Sequence, residues 1–279
     1  MRRLGQHFLK NKYAVKKIID ALELGSDETV IEVGAGHGEL TAELNNESRI
    51  MNKGLRIIAI EKDEKLAENL EFRIKNLGVA NVKVVRGDAL KFLKLLPKSS
   101  IINSKSYYKI VGNIPYYITG HLLRIIGELK NKPRICVFTL QKEVAKRITA
   151  EPPKMNLLAA SVQFWASPKI MGRISKKEFR PAPKVDSSIL KLETRADMAL
   201  RDKLGRDYYK TVKILFAQPR KTILNNLSAG NLRKTSVFPQ KSPQNKLKIT
   251  EKLKKIGVNP QSRPQNLNVG DIIKISRLL

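Results

Sequence analysis

Five short apolar runs, each followed by helical spacing, constrain this chain more than any other feature. They cover residues 29–33, 55–61, 82–86, 108–112 and 133–140. Runs of this length without polar alternation read as strands buried on both faces. Strands separated by amphipathic helices demand crossover connections, hence a mostly parallel sheet of the α/β class. In such a sheet a ligand sits at the carboxyl ends of the strands. The residues that end these runs are therefore the first candidates for chemistry.

The first run ends on Gly34-Ala35-Gly36-His37-Gly38, and Glu39 opens a helix. This is the first half of a nucleotide-type βαβ unit. The dinucleotide fingerprint requires a glycine where Glu39 stands, and Glu32 and Glu39 make a poor field for a pyrophosphate. The turn suits close backbone approach to a ligand without one. The second run ends on Glu61, a carboxylate able to accept ribose hydroxyls. Asp88, after the third, can accept from an adenine amine while a neighbouring N–H, at Ala89, meets the ring. The fourth ends on Asn113-Ile114-Pro115-Tyr116. An amide beside a flat ring suits a planar heterocycle carrying an exocyclic amine.

Helical spacing also marks residues 12–24, 64–77, 119–129, 141–148 and 156–166, and short strands are expected at 169–171 and 188–192. Between those strands, Pro181 and Pro183 stiffen a loop that holds Phe179, Arg180 and Lys184. After residue 198 the pattern turns to helices and basic residues. This places one boundary near 197, giving domains 1–197 and 198–279, with a loop over 230–248 and helices near 249–256 and 269–278. The chain carries 54 Lys+Arg against 25 Asp+Glu, a net charge of +29. An excess this large favours a polyanionic partner, nucleic acid first. One cysteine, Cys136, and three scattered histidines, His7, His37 and His121, exclude a disulfide framework and argue against a metal site. With no membrane-length apolar run and no signal-peptide core, a cytoplasmic protein is expected.

Together these residues resemble the class I S-adenosylmethionine-dependent methyltransferases, and within them the ribosomal RNA adenine N6,N6-dimethyltransferases of the small subunit. The motifs are Gly-Gln-His-Phe-Leu at 5–9, Ile-Glu-Val-Gly-Ala-Gly-His-Gly at 31–38, Ile-Glu-Lys-Asp at 60–63 and Gly-Asp-Ala at 87–89. Gly-Asn-Ile-Pro-Tyr at 112–116, Leu-Gln-Lys-Glu-Val at 140–144 and Phe-Arg-Pro-Ala-Pro-Lys-Val-Asp-Ser at 179–187 complete the series. Arg220-Lys221-Thr222-Ile223 is similar to the family's C-terminal basic helix. The order and spacing of the motifs carry the resemblance nearly end to end. Two stretches depart: the first crossover is longer around 45–54, and Gln218-Pro219 stands where the family often has another basic residue.

The resemblance implies a seven-stranded, mostly parallel Rossmann-like domain followed by a small helical one. It implies S-adenosylmethionine as cofactor, contacted by His7, Leu9, Gly34, Gly36, Glu61, Asp88, Ala89 and Asn113. It implies dimethylation of adjacent adenines in a 3′-terminal hairpin of small-subunit ribosomal RNA, on a pre-small-subunit particle, by a monomer. Asn113 would hold the adenine amine, Tyr116 would stack on one base face and Phe179 on the other. Arg180, Lys184, Arg220 and Lys221 would bind RNA. Two alternatives stand beside this: an adenine methyltransferase of large-subunit RNA, and a noncatalytic RNA-binding assembly or transcription factor. The basic segment after 197 and the 179–187 motif favour the small subunit. The complete Gly34, Glu61, Asp88 and Asn113 set favours an enzyme.

Overall fold

A computed structural model of the chain describes residues 6–96, 108–229 and 243–278. These fall into two compact units. The first holds the described residues of Met1–Lys146 together with Ser167–Thr194; the second holds Arg147–Ala166 together with those of Arg195–Leu279. The chain thus changes unit after residues 146, 166 and 194, where the sequence pattern suggests one boundary near 197.

In chain order the elements begin with β1 (Phe8–Leu9), α1 (Lys12–Asp20), β2 (Thr29–Val33), α2 (Glu39–Ile50), β3 (Arg56–Glu61) and α3 (Glu64–Asn76). Next come β4 (Val82–Arg86), α4 (Ala89–Leu95), β5 (Tyr108–Asn113), α5 (Thr119–Glu128), β6 (Ile135–Gln141) and α6 (Lys142–Ile148). They continue as α7 (Leu157–Gln163), β7 (Ala166–Ile174), β8 (Phe179–Arg180) and β9 (Ser187–Thr194). The chain ends with α8 (Met198–Leu215), α9 (Ile223–Ser228), α10 (Pro243–Lys255) and α11 (Val269–Ser276).

Seven strands form one sheet in the order β4-β3-β2-β5-β6-β9-β7. The pairs β4/β3, β3/β2, β2/β5 and β5/β6 are parallel, and β9 runs antiparallel to β6. The central strands are sandwiched by helices, which is why they read as unbroken apolar runs: Ile31, Ile57, Ile110 and Val137 are fully buried. Each such side chain contributes about 1.5–3 kcal/mol by leaving water. The edge strand β7 carries Pro168, Lys169 and Arg173. A proline that cannot donate to a ladder is tolerated only at an edge, and charge there discourages further pairing.

Strand order reverses beside β2, with β3 on one side and β5 on the other. That reversal opens a crevice at the strand carboxyl ends. At the opposite end of the sheet the buried Lys109 Nζ donates to Glu28 Oε2 and to the Glu23 carbonyl, each at 2.6 Å. Burial pulls this ammonium below its ordinary pKa, and Glu28 opposes the shift. Lys191 Nζ reaches Glu23 Oε1 at 2.6 Å. These contacts pin the loop between α1 and β2, where Glu23 and Asp27 hold positive φ angles of 52° and 57°.

The second unit has its own core, with Ala159, Ala160 and Phe164 from around α7 packed with Tyr208, Val212 and Leu215 of α8. Tyr208 stacks on Phe164 with ring centroids 3.9 Å apart and donates to the Ala160 carbonyl at 2.9 Å. The buried Asn226 closes the turn before α9: its Oδ1 accepts from Gln218 N, and its Nδ2 reaches the Gln218, Lys221 and Thr222 carbonyls.

Several local expectations shift. Helix α10 starts at Pro243 rather than near 249, and the rest of the expected 230–248 loop lies outside the described residues. Strand β7 spans Ala166–Ile174, so the helix expected over 156–166 stops at Gln163. Arg220 and Lys221 lie in a turn ahead of the Thr222 cap of α9, not within a helix.

Candidate active site

The carboxyl ends of β2, β3, β4 and β5 line a cavity of about 370 Å³. Gly34 and Gly36 follow β2 with φ of 75° and 58°, a region L side chains rarely adopt. A Cβ on Gly36 would stand 3.0 Å from Phe8 Cε1, so this glycine admits the N-terminal arm. A Cβ on Gly34 would meet nothing within 4 Å; the open space is the cavity itself.

Glu61 ends β3 and is buried. Its Oε2 accepts the Gly36 N–H, and its Oε1 accepts the Lys62 and Asp63 N–H groups, all at 2.8 Å. A carboxylate offers about four acceptor sites. Three backbone donors leave room for one more, on the side where Glu61 lines the cavity. The residue therefore ties the β2 turn to the β3 turn as well as facing a ligand.

Asp88 caps α4, its Oδ1 accepting the Leu90 N–H at 2.8 Å, while Oδ2 pairs with Lys62 Nζ at 3.0 Å. Burial works against the Asp88 charge, but the Lys62 ammonium and the Leu90 and Lys91 N–H groups outweigh it, and the carboxyl sits below its ordinary pKa. Ala89 begins α4 and also lines the cavity. As a first-turn residue its N–H has no acceptor within the helix.

Asn113 ends β5. Its Nδ2 lies 2.6 Å from the His7 carbonyl oxygen. A carbonyl only accepts, so the amide is oriented: the NH₂ faces the arm and Oδ1 is left as an acceptor. His7 Nδ1 lies 2.7 Å from the Pro181 carbonyl, which makes Nδ1 the protonated ring nitrogen. The His7 ring sits 5.9 Å from that of Tyr116, whose hydroxyl lies 3.2 Å from Ser187 Oγ. One short arm thus bonds to the Asn113 motif and to the 179–187 loop, and β1 pairs antiparallel with β8.

A third acid lies beneath the site without lining it. Glu32 of β2 is fully buried, and its Oε2 accepts from Thr41 Oγ1 at 2.5 Å. Burial pushes its pKa up to about 8, with Glu39 and Glu61 adding repulsion.

The cavity gathers His7, Gly34, Gly36, Glu61, Asp88, Ala89, Asn113 and Tyr116. Leu9 and Phe179 do not line it. Both are buried in the core cluster that contains Ala14, Val15 and Ile189. Leu9 and Phe179 are register partners in the β1/β8 ladder, so they turn to the same side, toward the core. Phe179 backs the wall instead of offering a ring to a ligand. Arg180, Lys184, Arg220 and Lys221 are exposed. Lys62, Tyr117 and His121 line the cavity although sequence reasoning passed over them. For Lys62 and Tyr117 the available signal was adjacency to Glu61 and Tyr116; His121 carried none. Among the described residues no group of His, Cys, Asp or Glu could hold a metal ion, and no helix is long and apolar enough to cross a membrane.

The comparisons with known proteins agree with one another. Residues 1–276 match the family described as ribosomal RNA adenine dimethylase. The chain is 37% identical over 227 residues to Ribosomal RNA small subunit methyltransferase A of Dehalococcoides mccartyi (strain CBDB1), covering 81% of this chain and 74% of that one. It is 34% identical over 276 residues to the protein of that name from Pediococcus pentosaceus, covering 98% and 88%. The crystal structure of a dimethyladenosine transferase from Plasmodium falciparum superposes with a TM-score of 0.76 at 26% identity, covering 96% of each chain. That of the 23S rRNA methyltransferase ErmE gives 0.70 at 24% identity over 98% and 99%, a likeness of fold.

Proposed function

The chain belongs to the ribosomal RNA adenine dimethylase family, and from that membership we propose that it dimethylates N6 of adjacent adenines in a 3′-terminal hairpin of small-subunit ribosomal RNA. The donor is S-adenosylmethionine, the partner is the pre-small-subunit particle, and the site of action is the cytoplasm. The observation that carries the chemistry is the oriented amide of Asn113, fixed by the His7 carbonyl.

The cavity residues suit this cofactor. The fourth acceptor site of Glu61 would take a ribose hydroxyl, Asp88 the adenine amine, and the N–H of Ala89 a ring nitrogen. Gly34 leaves backbone-close space for the amino-acid end. When bound, the cofactor supplies an electrophilic methyl group on a sulfonium.

The adenine amine is a weak nucleophile because its lone pair is delocalised into the ring. Asn113 Oδ1 and the Ile114 carbonyl would accept its two N–H bonds and turn the nitrogen out of conjugation. Tyr116, braced by Ser187 and His7, would stack on the base. No strong base is required: the methylated ammonium is acidic and loses its proton to water, which restores the lone pair for the second transfer. Positioning of this kind can supply roughly 7–11 kcal/mol of the barrier. Extruding the base costs a few kcal/mol, which stacking of about 1–3 kcal/mol offsets in part.

The second unit, with Arg220 and Lys221 exposed on the turn that Asn226 holds, would supply RNA affinity. Labelled methyl transfer to unmethylated small and large ribosomal subunits, followed by mapping, tests the whole reading. Label on two adjacent small-subunit adenines is the expected result. Label on the large subunit alone would replace it with the large-subunit alternative.

A further inference from the structure

Among the described residues the most exposed large apolar side chain is Tyr13, at 76%. It stands on α1, which follows the cavity-lining arm after only three residues. The apolar row of α1 faces inward: Ala14, Val15, Ile18 and Ile19 are buried. Tyr13 is left out of that row, and its sequence neighbours Lys10 and Lys12 are exposed too.

The surroundings of Tyr13 are basic and largely unneutralised. Lys16 is the exception, paired with Glu47 and Asp20. Among the described residues no carboxylate pairs with Lys10, Lys12 or Lys17. Lys17, one helical turn beyond Tyr13, lies against β7: a Cβ on Gly172 would stand 2.8 Å from its Nζ. The missing side chain at Gly172 gives that ammonium room to rest on the strand. On the other side the Lys10 N–H donates to the Glu178 carbonyl at 2.9 Å, which brings the exposed Lys176 and Lys177 alongside. The Glu178 carboxylate is occupied by Asn11 Nδ2 at 2.7 Å. Within the first unit, Phe8 of the cavity wall, the exposed Lys10 and Tyr13, and Lys17 against Gly172 follow one another along the arm and α1.

We propose that Tyr13 is a stacking platform for an unpaired RNA base beside the target adenine, set in a cationic surface that follows the phosphates. The inference rests on the reading of the chain as an RNA methyltransferase. A free aromatic ring among unpaired lysines fits single-stranded nucleic acid, because every base offers a π-face and every phosphate a charge. A lipid surface would need an apolar row, and α1 turns its own row into the core.

The test uses the full chain and the 3′-terminal small-subunit hairpin RNA, made with single-stranded flanks or with those flanks paired. Tyr13→Ala should weaken binding to the flanked RNA by about 5- to 150-fold, the equivalent of one base stack. It should leave the flank-paired RNA and S-adenosylmethionine affinity unchanged. Tyr13→Trp should keep the affinity, and its emission should be quenched on binding; the native Trp165 is buried and gives a constant background. Lys10→Glu with Lys12→Glu should flatten the salt dependence by about one unit of slope for each phosphate that is no longer neutralised. Unchanged affinity in Tyr13→Ala would overturn the proposal. So would full recovery by Tyr13→Leu, or a loss confined to anionic phospholipid vesicles. Failure of the broader reading shows separately, as no methyl transfer by the parent protein to either ribosomal subunit.

Discussion

Asn113 Nδ2 and the carbonyl oxygen of His7 are 2.6 Å apart, although 106 residues separate them in the chain. The hydrogen bond decides which end of the amide faces the cavity. Orientation here comes from a backbone carbonyl of the N-terminal arm, so it depends on the arm being docked. Asn113→Asp keeps an acceptor toward the substrate but sets an oxygen against the His7 carbonyl. Turnover should fall by about 10²–10³-fold, as for removal of one transition-state hydrogen bond. Single-turnover methyl transfer measures this, and a rate within about threefold of the parent would remove Asn113 from the role.

Glu61 serves two ends at once. Glu61→Gln puts an NH₂ among three backbone donors, and each unsatisfied N–H costs about 1–3 kcal/mol. The variant should lose stability by roughly that amount and also bind cofactor more weakly. Denaturant unfolding and calorimetric titration read the two effects independently. Weaker binding with unchanged stability would mean that the carboxylate does not hold the two turns together.

Lys109 is fully buried against Glu28. Breaking a buried pair by removing one partner leaves an uncompensated charge and costs about 3–5 kcal/mol. Lys109→Ala should show that loss in denaturant midpoint. Lys109→Met combined with Glu28→Leu should recover more than half of it, because the second change removes the stranded carboxylate.

Glu32 gives the fold a pH dependence. Its pKa is about 8 in the folded protein against an ordinary 4.5, so the folded state holds a proton that the unfolded chain releases in between. The stabilisation is complete below the lower value and is lost as pH rises through the upper one. Melting temperature in the parent should therefore drop as pH rises from about 4.5 to about 8. Glu32→Gln, which still accepts from Thr41, should flatten that drop. An equal drop in both proteins would place the titration elsewhere.

Much of this was legible in the residues. Buried parallel strands announce themselves as apolar runs, and their ends have to converge, so Gly34, Glu61, Asp88 and Asn113 could be grouped before any coordinates. The facing of Leu9 and Phe179 was not legible, because the β1/β8 ladder joins segments some 170 residues apart. A two-residue strand has no periodicity to reveal which side it turns inward. Lys62 and Tyr117 were hidden for another reason: a polar residue just past a strand end reads as solvated until the cavity rim is seen. Periodicity made 156–166 helical without saying which core it serves. Its apolar side belongs with Tyr208.

The exchange of segments between the two units bears on how the nascent chain folds. Synthesis delivers α7 early, yet its Ala160 carbonyl waits for a tyrosine hydroxyl 48 residues downstream. Strand β9 is the last of the sheet to emerge and must slot between β6 and β7, so an open strand edge persists until then, the kind of edge that invites wrong pairing. The first unit has all of its residues once Thr194 has emerged, whereas the second must keep residues 147–166 waiting until the chain beyond 195 arrives. Neither unit can be isolated whole by a single cut, and a stop anywhere before residue 194 leaves both unfinished.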